Sequence, residues 1–248
     1  MTEDNDRDNI YAHKLDWVEN FAFDDSVAKV FQDMIVRSVP GYRTTLAMIE
    51  VITSRFVTPG SRVYDLGCSL GAGTIIAANA NDSIDYEVIG VDTSQPMLER
   101  CQQAIDTRQP KAKVSLQCED IRDTRIENAS VVLLNFTLQF LPPIDRPAMI
   151  RKIYEGLQPG GAMVLSEKIH FEQPSKEELL YQLHHDFKRY NGYSDLEISQ
   201  KRNALENTLV TETLQTHQKR ILEAGFAGAH LWFQCFNFAS LVAVKKAN

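Results

Sequence analysis

The sequence predicts a doubly wound α/β fold, in which a mostly parallel seven-stranded sheet with an antiparallel edge strand is covered by helices on both faces. The first observation behind this prediction is that continuous apolar strands alternate with helical segments over residues 63–168. Such strands are typical of a parallel sheet that is buried on both sides. The second is that the last two predicted strands are joined by a link too short for a crossover helix, so we expect them to pair as an antiparallel hairpin at the sheet edge.

The individual elements follow from local patterns of apolar residues and turn signals. Apolar residues at helical spacing predict two helices before the sheet, at 24–39 and 44–56, which Pro40 and Gly41 separate. The elements predicted after them are strand 63–67, helix 71–80, strand 86–92, helix 95–105, strand 112–118, strand 130–136, helix 146–157, strand 159–168, helix 217–226, strand 229–236 and strand 239–246.

The chain is predicted to hold one domain. Residues 1–20 form an acidic, polar tail that we expect to be disordered, and residues 21–248 form a single domain. Within it, residues 172–215 interrupt the alternation with a polar, helix-forming insertion. A chain of 248 residues is long enough to bury a sizeable core without disulfides or metals.

The composition argues against several classes of function. No apolar run approaches the ~18 residues that would span a bilayer, so we expect no membrane partner. The four cysteines, at positions 68, 101, 118 and 235, lack the spacing of a zinc site or a disulfide framework, which suits a reducing cytoplasm and predicts no bound metal. The formal net charge is −7 and the basic doublets are scattered, which disfavours direct binding of nucleic acid.

A glycine-rich turn follows the first predicted strand, in the stretch VYDLGCSLGAGT at residues 63–74. In an open parallel sheet, ligands bind beyond the carboxyl ends of the strands where the strand order reverses, and we expect this turn to lie there. Gly67 permits turn dihedrals that a side chain would forbid. Ser69 occupies the position of the second glycine of the dinucleotide pattern, the one that lets a pyrophosphate approach the backbone. This favours a ligand without a diphosphate, such as S-adenosylmethionine (SAM), over a dinucleotide; a tight turn without any ligand is the alternative.

Polar side chains stand at the ends of the next three predicted strands. Asp92 can accept hydrogen bonds from both ribose hydroxyls, and such charged hydrogen bonds contribute roughly 1.5–3 kcal/mol each. Asp120 can accept from the adenine amino group, with Ile121 against the ring, and Asn135 stands at the same rim. The alternative roles are structural: a helix cap or a solvated loop for the acids, and a strand-capping amide for Asn135.

Longer blocks of the sequence resemble one family. The element order, with its final hairpin, is typical of the SAM-dependent methyltransferase fold. The segments YDLGCS, IENASVVLLNFTLQFLPP, HHDFKRYNGYSDLEISQKR and LWFQCFNF resemble the carboxy-S-adenosylmethionine (carboxy-SAM) synthases, and the resemblance runs from about residue 20 to the end. Members of this family convert SAM and prephenate to carboxy-SAM and phenylpyruvate. A separate enzyme then uses carboxy-SAM to modify a wobble uridine of tRNA.

The resemblance implies a set of contacts with SAM and carboxy-SAM. They fall at Tyr42, Gly67, Cys68, Ser69, Asp92, Thr93, Asp120, Ile121, Asn135 and Arg202. Thr93 departs from the family, which usually has Asn there, and we expect its hydroxyl and backbone amide to adjust to the contact. The resemblance also implies a homodimer in which the Arg202 region reaches the neighbour's site.

Arg202 and Tyr42 are the catalytic residues that the resemblance implies. Carboxy-SAM carries one carboxylate more than SAM, and the guanidinium of Arg202 meets a carboxylate through two parallel hydrogen bonds, to which Tyr42 adds an uncharged donor. In the implied reaction the deprotonated sulfonium methyl traps the CO2 that prephenate releases while it aromatises and expels its hydroxyl. The protein positions the reactants and excludes water, and no general base is nominated. His184, His185 and Tyr193 are candidate substrate contacts, with helix packing or exposure as the alternative.

Two other functions stay open on the sequence alone. A SAM-dependent methyltransferase acting on a small molecule would leave demethylated SAM rather than a heavier product. A non-catalytic nucleoside-binding protein would have no use for Arg202 and Tyr42 beside the nucleoside carboxylates.

Overall fold

The computed structural model of the chain describes residues 7–15, 17–18, 20–206 and 208–247. Within these residues seven strands form one sheet in the order β3-β2-β1-β4-β5-β7-β6. The strands are β1 Arg62–Leu66, β2 Glu87–Asp92, β3 Lys113–Cys118, β4 Ala129–Asn135, β5 Leu157–Lys168, β6 His230–Cys235 and β7 Phe238–Val244. The helices are α1 Asp25–Ser38, α2 Tyr42–Phe56, α3 Ala72–Asn79, α4 Gln95–Arg108, α5 Arg146–Gly156, α6 Pro174–Tyr190, α7 Asp195–Leu205 and α8 Leu214–Glu223, with a short 3-10 helix at Leu138–Phe140.

The strand directions confirm the predicted mixed sheet. β1 to β5 are parallel neighbours, whereas β7 pairs antiparallel with both β5 and β6. The predicted hairpin forms at the sheet edge, and its antiparallel strand β7 lies one position inside the outermost strand β6. The order reverses between β1 and β4, so the carboxyl ends of these two strands flank the crevice in which such folds bind ligands.

Apolar side chains bury both faces of the sheet. β4 is buried from Ala129 to Leu134, as expected for a central strand covered on both sides. One hydrophobic cluster joins it to α5 and α8, through Ile150 and Ile221, and a second cluster joins it to α2, through Ile49. Because helices hold the sheet from both faces, the loops at its carboxyl edge extend from a rigid frame.

Local capping signals set the helix boundaries near the site. Asp24 caps α1 by accepting a hydrogen bond from the Val27 amide, and Ser94 caps α4 in the same way for Met97. Gly41 takes the left-handed conformation between α1 and α2, where the sequence places a break. Tyr42 therefore stands at the first residue of α2, at the edge where the sheet carries its polar side chains.

The predicted tail and insertion differ in part from the structure. Residues 1–6 lie outside the described residues, but Asp8 and Tyr11 are buried, so the chain packs on the domain well before residue 20. Asp8 accounts for this, because its carboxylate hydrogen-bonds the Tyr193 hydroxyl and pairs with the Lys201 ammonium at 3.2 Å. The insertion holds α6 and α7, and α8 already begins at Leu214, one turn before the predicted helix. Within the described ranges, no helix has both the length and the hydropathy needed to cross a bilayer.

Candidate functional site

Asp92 ends β2, and its carboxylate joins two loops. Oδ2 accepts a hydrogen bond from the backbone N–H of Ser69 at 2.9 Å, and Oδ1 accepts one from the backbone N–H of Ser94 at 2.9 Å. Burial raises the pKa of Asp92, and the N–H groups of Ser94, Ser69 and Thr93 limit the rise. Each carboxylate oxygen keeps a lone pair for a further donor, such as a ribose hydroxyl.

The turn after β1 approaches the loop after β4 at Gly67. Gly67 has φ +81°, and a Cβ there would lie 2.4 Å from Cγ2 of Thr137. Only glycine fits both the dihedral and the approach. The N–H groups of Gly67 and Cys68 both donate to the carbonyl of Val91, at 2.8 and 3.0 Å, so the turn is also fixed to β2. Three strand ends therefore meet at Gly67.

Asp65 lies beneath this turn and is fully buried. The Thr74 hydroxyl donates to its Oδ2 at 2.7 Å. Burial raises the pKa of Asp65 to about 6; the Thr74 hydrogen bond limits the rise, and the nearby charge of Asp92 adds to it. Burial also raises the pKa of the Tyr42 hydroxyl, and the charge of Asp65 contributes to that rise. Asp65 thus lies close to both Tyr42 and Asp92, and the two neighbouring carboxyl groups favour a positively charged ligand.

Asn135 ends β4 with an unpaired amide oxygen. Its Oδ1 is buried and has no hydrogen-bond partner among the described residues. An unpaired buried acceptor is unfavourable, and a ligand that donates a hydrogen bond would relieve it. The next residue, Phe136, has φ +64°, and its ring centroid lies 6.4 Å from that of Tyr42. Asn135 and Tyr42 therefore stand on the same side of the crevice.

The carboxylate of Asp120 already accepts hydrogen bonds from Arg122, a partner that the sequence analysis did not predict. Arg122 donates to it from the backbone N–H at 2.8 Å and from the guanidinium at 2.7 Å, and the same guanidinium reaches Asp145 at 2.8 Å. These contacts with Arg122 lower the pKa of Asp120. An adenine amino group would have to share this carboxylate with Arg122. Ile121 is buried in the main hydrophobic cluster, and Thr93 is exposed.

Cys68 and Arg202 complete the predicted set. The Cys68 side chain is buried, and a hydrogen bond with Cys101 together with burial raises the pKa of its thiol, which excludes a thiolate nucleophile at neutral pH.

Arg202 is exposed on α7, and its guanidinium donates to the Tyr181 hydroxyl at 3.2 Å. None of its described hydrogen bonds or ion pairs joins it to Asp92 or Asn135.

Glu167, near the end of β5, is a positioning residue that sequence reasoning missed. Its Oε1 and Oε2 accept hydrogen bonds from the backbone N–H groups of Leu138 and Gln139, both at 2.9 Å. Burial raises the pKa of Glu167 to about 8, while the Arg146 guanidinium limits the rise. The carboxyl group thereby holds the 3-10 turn that follows Asn135 and Thr137. The sequence signal that could have identified Glu167 is an acidic residue shortly after the apolar run AMVL at residues 162–165.

One sizeable cavity lies away from the carboxyl edge of the sheet. An open cavity of ≈ 610 Å³ is lined by Arg62, Glu87 and Lys113, at the amino ends of β1, β2 and β3. Its charges already pair, since Glu87 contacts Lys113 at 3.1 Å and Arg62 at 3.6 Å. The polar carboxyl edge therefore defines the candidate site better than cavity size does. Across the described part of the chain, no group of three or more His, Cys, Asp or Glu side chains is arranged to hold a metal ion.

The chain is similar to known proteins over nearly its whole length. It is 53% identical over 239 residues to the carboxy-S-adenosyl-L-methionine synthase of Pasteurella multocida strain Pm70, which covers 96% of this chain and 99% of that protein. The protein of the same name from Klebsiella pneumoniae is 53% identical over 239 residues, which cover 96% of this chain and 97% of that one. A family model for a methyltransferase domain matches residues 63–161.

The fold is also found among solved structures. The magnesium protoporphyrin IX methyltransferase of Synechocystis PCC 6803, solved with bound SAM, superposes with a TM-score of 0.58 at 17% identity. The match covers 96% of this chain and 89% of that one. At this identity the likeness shows the fold alone.

Proposed function

Because the chain belongs to the family of carboxy-S-adenosyl-L-methionine synthases, we propose that it converts SAM and prephenate to carboxy-SAM and phenylpyruvate. The observation that carries the proposal is the extent of the similarity, which includes α6 to β7 as well as the SAM-binding half of the sheet. A shared methyltransferase fold without this second half would support only a generic use of SAM.

The residues at the carboxyl edge fit SAM as a ligand. We assign the ribose hydroxyls to Asp92, whose two carboxylate oxygens each keep a free lone pair. The unpaired Oδ1 of Asn135 suits a donor of the ligand, and the buried carboxyls of Asp65 and Asp92 suit its positive charge. Gly67 brings its backbone to the ligand without an intervening side chain, and the N–H of Ser69 holds the Asp92 carboxylate in place. Asp120, shared with Arg122, faces the adenine end in this proposal.

The proposed reaction balances without an added oxidant or reductant. The sulfonium methyl group loses a proton and forms a carbon–carbon bond to CO2, while prephenate loses that CO2 and its hydroxide and becomes aromatic. The proton and the hydroxide leave as water. The chain's own contribution is to align the two substrates and exclude bulk water, which requires the fixed loops around Gly67 and Thr137.

Three further assignments belong to this proposal. Arg202 lies on an exposed face, so we propose that the chain forms a homodimer in which Arg202 and Tyr42 hold the new carboxylate from two protomers. The product supplies a separate enzyme that modifies the wobble uridine of tRNA, so this chain need not bind nucleic acid. Since tRNA is the destination, we propose that the reaction takes place in the cytoplasm.

The product's mass and label test the proposal. The protein is incubated with SAM and with prephenate that carries carbon-13 in its ring carboxylate, the group lost on aromatisation. We expect a sulfonium nucleoside that is heavier than SAM by labelled CO2, and phenylpyruvate in equal amount. A small-molecule methyltransferase would instead release S-adenosylhomocysteine. That product without the heavier nucleoside would refute the proposed function.

A further inference from the structure

Two lysines, one at the end of β5 and one in α6, have no counter-ion among the described residues; Lys168 is half-buried and Lys188 is buried. Lys168 is the last residue of β5, and Lys188, in the last turn of α6, is 9% exposed. Neither ammonium group forms a hydrogen bond or an ion pair with any residue that the structure describes. The other buried lysine, Lys201, pairs with Asp8 at 3.2 Å. An ammonium group on a largely buried side chain is unfavourable without an anion nearby, so an anionic ligand would stabilise this position.

The charges of the two lysines act on each other. Burial, followed by the positive charges of Lys168 and Lys201, lowers the pKa of Lys188 to about 7. Burial also lowers the pKa of Lys168, against a smaller opposing effect of Glu177. Because Lys168 lies close enough to lower the pKa of Lys188, one carboxylate bound between them would stabilise both ammonium groups.

His184 adds an unpaired acceptor to the same place. It is 2% exposed, and its Nε2 donates to the carbonyl of Ser38 at 2.8 Å. Burial, followed by the charges of Lys188 and Lys168, lowers the pKa of His184 well below its ordinary value, so the ring is neutral. Nδ1 is then a buried acceptor, and it has no partner among the described residues. A ligand for this place would carry both an anionic group and a hydrogen-bond donor.

A row of aromatic rings connects this place to the candidate active site. Ring centroids lie 6.4 Å apart for Tyr42 and Phe136, 6.0 Å for Phe136 and Phe238, and 4.9 Å for Phe238 and His184. Phe238 is also the ladder partner of Lys168 across β5 and β7. The lysines thus lie at the opposite end of this row from Tyr42, next to the carboxyl edge of the sheet.

We propose that Lys168 and Lys188 bind a carboxylate of the second substrate, with Nδ1 of His184 accepting a hydrogen bond from its hydroxyl group and the aromatic row against its ring. This inference rests on the proposed function, since prephenate is a hydroxylated ring with two carboxylates. It assigns the second substrate to a subsite within one protomer, separate from the nucleoside contacts of Asp92 and Asn135.

Equilibrium binding of prephenate tests the subsite. The protein is first saturated with S-adenosylhomocysteine, which lacks the methyl group and cannot react. The variants are Lys168→Met and Lys188→Met, which keep side-chain length and remove charge. The control is Lys219→Met, whose side chain is 76% exposed. We expect each of the first two to weaken prephenate binding by about tenfold or more, with unchanged SAM affinity, and the control to bind as the parent does.

Thermal unfolding separates binding from folding in these variants. Replacing an uncompensated buried cation by Met should leave the melting temperature unchanged or raise it. Unchanged prephenate affinity in both variants, or a joint loss of SAM affinity and melting temperature, would overturn the subsite. If the parent makes carboxy-SAM while the variants bind prephenate normally, the subsite alone is wrong. If the parent binds prephenate through the lysines but makes no carboxy-SAM, the proposed function alone is wrong.

Discussion

Among single residues, Asp65 has the charge state that most depends on its surroundings. It is fully buried beneath the Gly67 turn, with one hydroxyl donor from Thr74 and the carboxylate of Asp92 nearby. The ionised form of Asp65 is therefore disfavoured in the ligand-free site, and a bound cation would stabilise it. A sulfonium or an ammonium group of a ligand would supply that cation.

The pH dependence of stability tests this description of Asp65. Its pKa is about 6 in the folded chain and 3.8 ordinarily, so folding takes up a proton between these values. The resulting stabilisation is complete below the ordinary pKa and is lost as the pH rises through about 6. We expect the free energy of unfolding of Asp65→Asn, relative to the ligand-free parent, to rise by about 2.5 kcal/mol between about pH 4 and about pH 7.

Urea unfolding at several pH values gives this difference directly. Asp123→Asn, at an exposed position, provides a control for the replacement of a carboxylate by an amide at the surface. A constant difference for Asp65→Asn would mean that the buried carboxyl does not titrate with a raised pKa.

At the scale of elements, the 3-10 turn after β4 depends on β5. Leu138 and Gln139 are buried, and both of their N–H groups donate to Glu167. Phe136, just before the turn, holds a left-handed backbone that costs about 1–3 kcal/mol unless its surroundings fix it. The two hydrogen bonds that Glu167 accepts from Leu138 and Gln139, the Glu167 clamp, therefore hold the turn that keeps Thr137 against Gly67.

Hydrogen exchange in Glu167→Ala tests the clamp. The variant leaves two buried N–H groups without an acceptor, whatever the protonation state of the parent's carboxyl. We expect the Leu138 and Gln139 amides to exchange faster by about tenfold or more, and SAM to bind more weakly. Glu155→Ala, on the exposed face of α5, should change neither. Unchanged protection of the two amides in Glu167→Ala would show that the turn holds itself.

At the scale of the whole molecule, sequence patterns located the sheet and much of its polar edge. Continuous apolar strands predicted the parallel sheet, and the strand ends then predicted where Asp92 and Asn135 would stand. Those inferences needed only local periodicity and the common edge of parallel strands.

The remaining features depend on contacts between distant parts of the chain. Nothing local in the sequence pairs Glu167 with Leu138, or closes Thr137 on Gly67. Burial of Lys188 without an anion is likewise a tertiary property, because its neighbours in α6 are largely polar. The packing of Asp8 and Tyr11 on the domain follows from the partners of Asp8, because Tyr193 and Lys201 lie in the last third of the chain.

The mass of the small molecule released by acid from the purified protein tests most directly whether the carboxyl edge of β1, β2 and β4 binds an adenosyl sulfonium. We expect the mass of SAM or of its carboxylated derivative, and depletion of that molecule in Asp92→Ala. Release of a diphosphate dinucleotide, or a protein that comes out empty and binds no added SAM, would contradict the account.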